Sequence, residues 1–190
     1  ALPWQWLAEW HDGLIILTGC REGPIARALA REGRAAAWTW ATRLARLFGP
    51  ERCFVELEDH GERGDRQRVS ELVNLAEATG LSVVVTGNVH YLDEQSWRLQ
   101  DGLVCIREGI TVDTPHPARK TSSAYRLVAP ATMARRFRHL PEALVNTVRL
   151  AERCQVSLDF RQVRFPPLPH LVPPGETPMQ VLRRQAYEGA

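Results

Sequence analysis

The sequence predicts an α/β fold built on a parallel sheet or barrel, and three observations carry that prediction. Three short apolar runs, at residues 14–17, 53–58 and 81–85, have the length and side-chain character of strands. Helical patterns separate them, so the first half reads strand, helix, strand, helix, strand, the order that favours right-handed βαβ units. A cluster of polar groups follows each run, where parallel α/β folds place their ligand sites.

The elements follow in order. Leu14-Ile15-Ile16-Leu17 reads as a buried strand ended by the turn Thr18-Gly19-Cys20. Residues 24–31 predict a short helix with Pro24 in its first turn. Residues 35–48 are alanine-rich, with Trp40, Leu44 and Leu47 at helical spacing, and Gly49-Pro50 stops them. Residues 53–58 alternate as a strand. Residues 66–79 form an amphipathic helix with Val69, Leu72, Val73 and Ala76 on one face, ended by Gly80. Leu81-Ser82-Val83-Val84-Val85 is β-branched and mostly apolar, as a parallel strand covered on both faces should be.

The pattern then changes. Residues 95–107 predict a helix, 113–123 a polar loop, and 125–127 a short strand. Residues 130–137 and 141–154 predict two helices, each opened by proline. Residues 165–174 hold five prolines and read as a linker or extended arm, and a last helix starts at Thr177-Pro178. The chain therefore divides into residues 1–160, a proline-rich linker at 161–176, and the start of a following domain at 177–190.

Composition narrows the function classes. Hydrophobic residues make up 44% of the 190, charged residues 24%, and the net charge is +2, too small to argue for nucleic acid by itself. No apolar run approaches the ~20 residues of a membrane helix. The start lacks the basic and apolar regions of a signal peptide, so the expected location is cytoplasmic. Cys20, Cys53, Cys105 and Cys154 form no CxxC pair, which excludes a zinc ribbon; by default each is a small buried apolar residue. Lys120 is the single lysine. The arginine clusters at 135, 136 and 138 and at 183 and 184 read as solvated helix faces sooner than as phosphate contacts. The six tryptophans read as packing residues rather than a base-stacking platform.

Candidate chemistry gathers behind the strands. Cys20 follows the first run. Glu56, Glu58, Asp59 and His60 lie at the end of the second. Asn88 and His90 follow the third and, two apart, face the same way on an extended segment. Thiolate, carboxylate and imidazole are competent metal ligands. A single histidine after a strand is more often a hydrogen-bonded loop residue than a ligand, and Glu58, Asp59 and His60 read equally as a solvated loop. No Walker or dinucleotide glycine loop, no GxSxG elbow and no Asp-x-Asp pair is present.

Several segments together resemble one family. GLIILTGCREG at 13–23, FVELEDHG at 54–61, VVVTGNVHYL at 83–92, LPEAL at 140–144, AERC at 151–154, and PGETP at 174–178 with YEGA at 187–190 are similar, in order, to the PHP domain of bacterial DNA polymerase III alpha subunits. The segments around Cys105-Ile106-Arg107 and 130–138 look closer to the error-prone branch. The resemblance implies a partial PHP-type distorted (β/α) barrel with parallel strands, followed by a helical segment and the linker. It implies the C-terminal portion of that domain, with further ligands upstream and the polymerase aspartates downstream. It also implies DNA, other polymerase holoenzyme subunits and the rest of the same polypeptide as partners.

For the site, the resemblance implies divalent metal ions (zinc, manganese or magnesium). Cys20 and His90 fall on ligand positions, and Asn88 falls where the family has an aspartate. Glu56 and His60 are placed to orient ligands. The PHP part then supports the polymerase, with a metal-dependent 3′–5′ exonuclease in some members. Asn88 departs from the pattern: an amide oxygen coordinates hard cations but brings no negative charge. The expectation is a site with fewer metals, and poor or no hydrolysis by the 190 residues alone. Two alternatives stand: a free-standing PHP phosphoesterase acting on small esters, and a degenerate, non-catalytic structural module.

Overall fold

The computed structural model describes residues 3–120, 122–156 and 172–189. Two compact units divide the chain, residues 1–154 and 155–190. In the first, a short helix α1 (Trp4–Glu9), which the sequence did not predict, precedes β1 (Ile16–Leu17), α2 (Pro24–Arg31), α3 (Arg34–Phe48), β2 (Cys53–Leu57), α4 (Asp65–Thr79) and β3 (Ser82–Val85). Then come α5 (Trp97–Glu108), α6 (Pro130–Arg136) and α7 (Pro141–Arg153). In the second unit, α8 (Pro178–Glu188) carries a capping box, with Thr177 and Gln180 exchanging hydrogen bonds. Most of the proline-rich stretch expected as a linker lies outside the described residues.

The described strands form a three-stranded parallel sheet in the order β1-β2-β3. Parallel pairing between consecutive strands requires a crossover, supplied by α2 and α3 and then by α4. The core is built from one strand face and these helices. Cys53, Val55 and Leu57 of β2 are fully buried and join Ala37, Leu44 and Phe48 of α3 with Val69, Leu72 and Leu75 of α4. Because side chains alternate along a strand, Glu56 and Glu58 fall on the other side, with Phe54 and Val84.

The free edge of β3 is covered. Asn146 of α7 donates its side-chain amide to the Val83 carbonyl at 3.0 Å, and the Thr147 hydroxyl lies 3.1 Å from both the Val85 N–H and the Val85 carbonyl. Unpaired edge groups invite intermolecular pairing, and α7 blocks that by satisfying them.

Three expectations change on folding. The first strand is shorter and more open than its four apolar residues predict: only Ile16 and Leu17 pair, both half-buried, and Leu14 is exposed. It lies at the sheet edge with β2 as its one strand partner. The strand expected at 125–127 is replaced by a 3₁₀ turn, Ser123–Tyr125, and a single parallel bridge between Arg126 and Tyr91. Cys154, expected to be buried, is exposed just past α7. The tryptophans divide: Trp4 meets Trp40 edge-on with the Arg43 guanidinium 3.7 Å from the Trp4 ring centroid, whereas Trp6 and Trp10 are exposed.

Candidate functional site

The carboxyl ends of the three strands meet, and one polar network binds them. After β1, the turn at Gly19 brings the chain back on itself so tightly that a Cβ on Gly23 would lie 2.5 Å from the Thr18 carbonyl oxygen. Only glycine fits there. The turn presents Cys20, half-buried, with its sulfur 3.4 Å from the Glu22 N–H. The Thr18 hydroxyl accepts the Glu56 N–H at 3.0 Å, tying β1 to the end of β2. The Thr86 hydroxyl donates to a Glu56 carboxylate oxygen at 2.7 Å, tying β2 to the end of β3.

Glu58 is the residue the sequence reading undervalued. It is 4% exposed, not part of a solvated loop. Burial, reinforced by the neighbouring Glu56 charge, pushes its carboxyl up to about 7, against the pull of the Asn88 hydrogen bond. Asn88 donates its side-chain amide to Glu58 at 3.4 Å. Asn88 is also the one described non-glycine residue with positive φ, at 41°. Asparagine and aspartate tolerate this left-handed turn better than other side chains. The signal in sequence was the spacing: Glu56 and Glu58 are two apart at a strand end, hence on one side of the sheet.

His60 is buried as well. Its Nε2 lies 3.0 Å from the Gly87 carbonyl and its ring stacks on Tyr125 at 3.9 Å. Burial depresses its basicity, so the neutral ring, donating from Nε2 to Gly87, is favoured. The loop carrying it is held by Asp65, 1% exposed, which accepts the His60 N–H at 2.8 Å, the Glu62 N–H at 3.1 Å and the Arg68 guanidinium at 2.7 Å. These donors hold the Asp65 carboxyl below its ordinary range in spite of its burial. Glu62 in turn accepts from the Tyr125 hydroxyl at 3.0 Å and pairs with Arg21 of the first turn.

His90 lies differently. Its ring is exposed and meets Tyr125 edge-on at 5.8 Å, while its backbone N–H donates to the Tyr125 carbonyl at 2.8 Å. Partial burial, with Lys120 and His60 nearby, lowers its basicity.

Cys20, Glu56 and Glu58 line one small hollow with Arg68. Asn88 reaches it through Glu58, and His60 and His90 share Tyr125 as a neighbour. Among the described residues no three His, Cys, Asp or Glu side chains converge as metal ligands. Glu56 and Glu58 are engaged by Thr86 and Asn88, and Arg68 supplies positive charge beside them. In this arrangement the described residues do not fit a divalent ion.

Comparison with known proteins shows what the chain is similar to. Residues 1–60 match the PHP domain. The error-prone DNA polymerase of Symbiobacterium thermophilum is 38% identical over 190 residues, which is 100% of this chain and 17% of the relative. The DNA polymerase III subunit alpha of Pseudomonas aeruginosa is 33% identical over 185 residues, covering 97% of this chain and 16% of the relative. That of Escherichia coli K12 is 34% identical over 165 residues, covering 87% and 14%. The chain thus spans about a sixth of the length of the curated relatives it matches.

Proposed function

Because this chain is similar over 87–100% of its length to one segment of DNA polymerase III alpha subunits and an error-prone DNA polymerase, and its residues 1–60 match the PHP domain, we propose that it acts as one part of a DNA-directed DNA polymerase. Its role there is structural support for the polymerase, in replication or error-prone repair synthesis. Residues 1–160 form the PHP portion, 161–176 the linker and 177–190 the start of the polymerase domain. The observation that carries the reading is the 38% identity over 190 residues to one segment of a much longer enzyme. The structural role is supported by the strand-end network, in which Glu56, Glu58, His60 and Asp65 spend their hydrogen bonds on neighbouring loops.

One observation favours a second reading of the same segment, a metal-dependent 3′–5′ exonuclease. Cys20, Glu56 and Glu58 share one hollow at the strand ends, with His90 on the neighbouring loop. Zinc, manganese or magnesium would then need a different arrangement from the one described, in which Cys20, His90 and Asn88 meet ligands outside these residues.

The test uses the full-length polypeptide, a primed DNA template and deoxynucleoside triphosphates. Template-directed primer extension is expected. Hydrolysis of small phosphate esters with no extension would show the free-standing phosphoesterase instead. Degradation of a mismatched 3′ end that needs divalent metal and disappears in C20A and H90A would establish the second reading.

A further inference from the structure

We infer that an arginine-lined cleft beside the strand-end network binds the phosphodiester backbone of single-stranded DNA. The inference rests on the proposed polymerase reading for its choice of ligand, and on the following geometry for the site. Arg66 in the first turn of α4 faces Arg135 and Arg136 at the end of α6 and Arg138 just beyond, across a cleft of about 680 Å³. That volume lies within the ~300–1,000 Å³ of ligand clefts. Asp59 is the single acidic residue among its lining.

The protein pairs its arginines elsewhere. Arg21, Arg68 and Arg119 each meet a carboxylate. Among the described residues none of the four cleft arginines does. Arg136 is held by the Asp59 backbone carbonyl at 2.5 Å, a bond that orients the guanidinium without neutralising it. Among the described residues, Arg135 donates to the Thr132 hydroxyl at 3.0 Å. Arg66 stands at the amino end of α4, where the helix dipole disfavours a cation and an incoming anion would relieve both. Four guanidiniums around a concavity, with no carboxylate paired to them among the described residues, attract a polyanion, and their planar forks match phosphate oxygens.

Two features favour a strand over a free phosphate. Val69, Val73 and Leu140 give the cleft an apolar floor, against which a sugar or base can rest. A second cleft of about 500 Å³ shares Asp59, Arg66 and Arg136 and continues to His60 and Glu62. The basic track is therefore longer than one phosphate and runs toward the strand ends.

The experiment is fluorescence anisotropy of a labelled oligo-dT with the full-length protein over a salt series, with primer extension measured on the same preparations. The triple variant R66Q/R135Q/R138Q is compared with R27Q/R31Q/R46Q, which removes the same charge from α2 and α3. All six side chains are exposed, and R138Q alone serves as a milder variant. The expected result is a loss of about tenfold in affinity and a salt slope shallower by about 2 in the cleft variant, at ~0.7 per lost phosphate contact. The control triple should change little. R138Q alone should reduce the slope by about 0.7.

Equal losses in the two triple variants, or none in the cleft variants, would overturn the inference. Displacement of the oligonucleotide by thymidine monophosphate at an equal nucleotide concentration would also overturn it, in favour of a small-ester site. Primer extension by the wild type is scored separately. Its absence would remove the polymerase reading, while the anisotropy comparison still decides the cleft.

Discussion

Asn88 is where the sequence and the structure bear most closely on one another. The resemblance to the family marked it as an amide in place of an aspartate, and the structure shows what the amide does: it donates to a buried carboxylate. Asp in its place accepts the same left-handed turn but adds a charge beside Glu58. Metal-free N88D should therefore lose about 1–2 kcal/mol at neutral pH through like-charge repulsion. Under the second reading, with ligands from outside the described residues, the same variant should bind manganese more tightly than wild type in calorimetric titration of the full-length protein. Equal affinity would mean that charge at this position does not limit the site. Glu58 itself supplies a pH signature. Its folded-state carboxyl is raised from 4.5 to about 7, so the folded state holds a proton that the unfolded chain has released. Stability from this group is fully present below pH 4.5 and is lost as pH rises toward about 7. E58Q, permanently neutral, should gain melting temperature over wild type progressively across that window. A difference that is constant with pH would contradict the assignment.

At the scale of elements, most of the fold was legible because its periodicities are local. The Pro24, Pro130, Pro141 and Pro178 starts of α2, α6, α7 and α8 match helices opened by proline, and Gly49, Gly80 and Gly109 follow the ends of α3, α4 and α5. What was not legible depends on neighbours distant in sequence. The pairing of β1 needs Cys53 and Phe54. The 3₁₀ turn at Tyr125 is fixed by the Tyr91 hydroxyl, which receives the Tyr125 N–H at 3.1 Å. Glu58 looked solvated because its cover, Asn88 and the Cys20 turn, lies thirty or more residues away. The sealing of β3 by α7 was equally invisible, and it gives a test. T147V keeps the shape but leaves the Val85 N–H unsatisfied, which should cost about 1–3 kcal/mol of protection at Val85, read by hydrogen exchange. Unchanged protection would show that another group takes the donor.

For the whole molecule, the strand-end network supplies the cross-linking that the proposed structural role requires. The loops after all three strands are locked to one another through Thr18, Glu56, Thr86, His60 and Glu62. The lock centres on Asp65, and removing that carboxylate leaves two backbone N–H groups and Arg68 without their partner. Loss of one member of a buried ion pair costs about 3–5 kcal/mol. The most direct measurement is therefore thermal inactivation of primer extension in the full-length polypeptide, wild type against D65A. If the segment supports the polymerase, D65A should extend primers at the wild-type rate at 25 °C and lose that activity at a clearly lower temperature, in step with unfolding of this segment. Primer extension in D65A that survives to the wild-type temperature after the segment has unfolded would contradict the structural role.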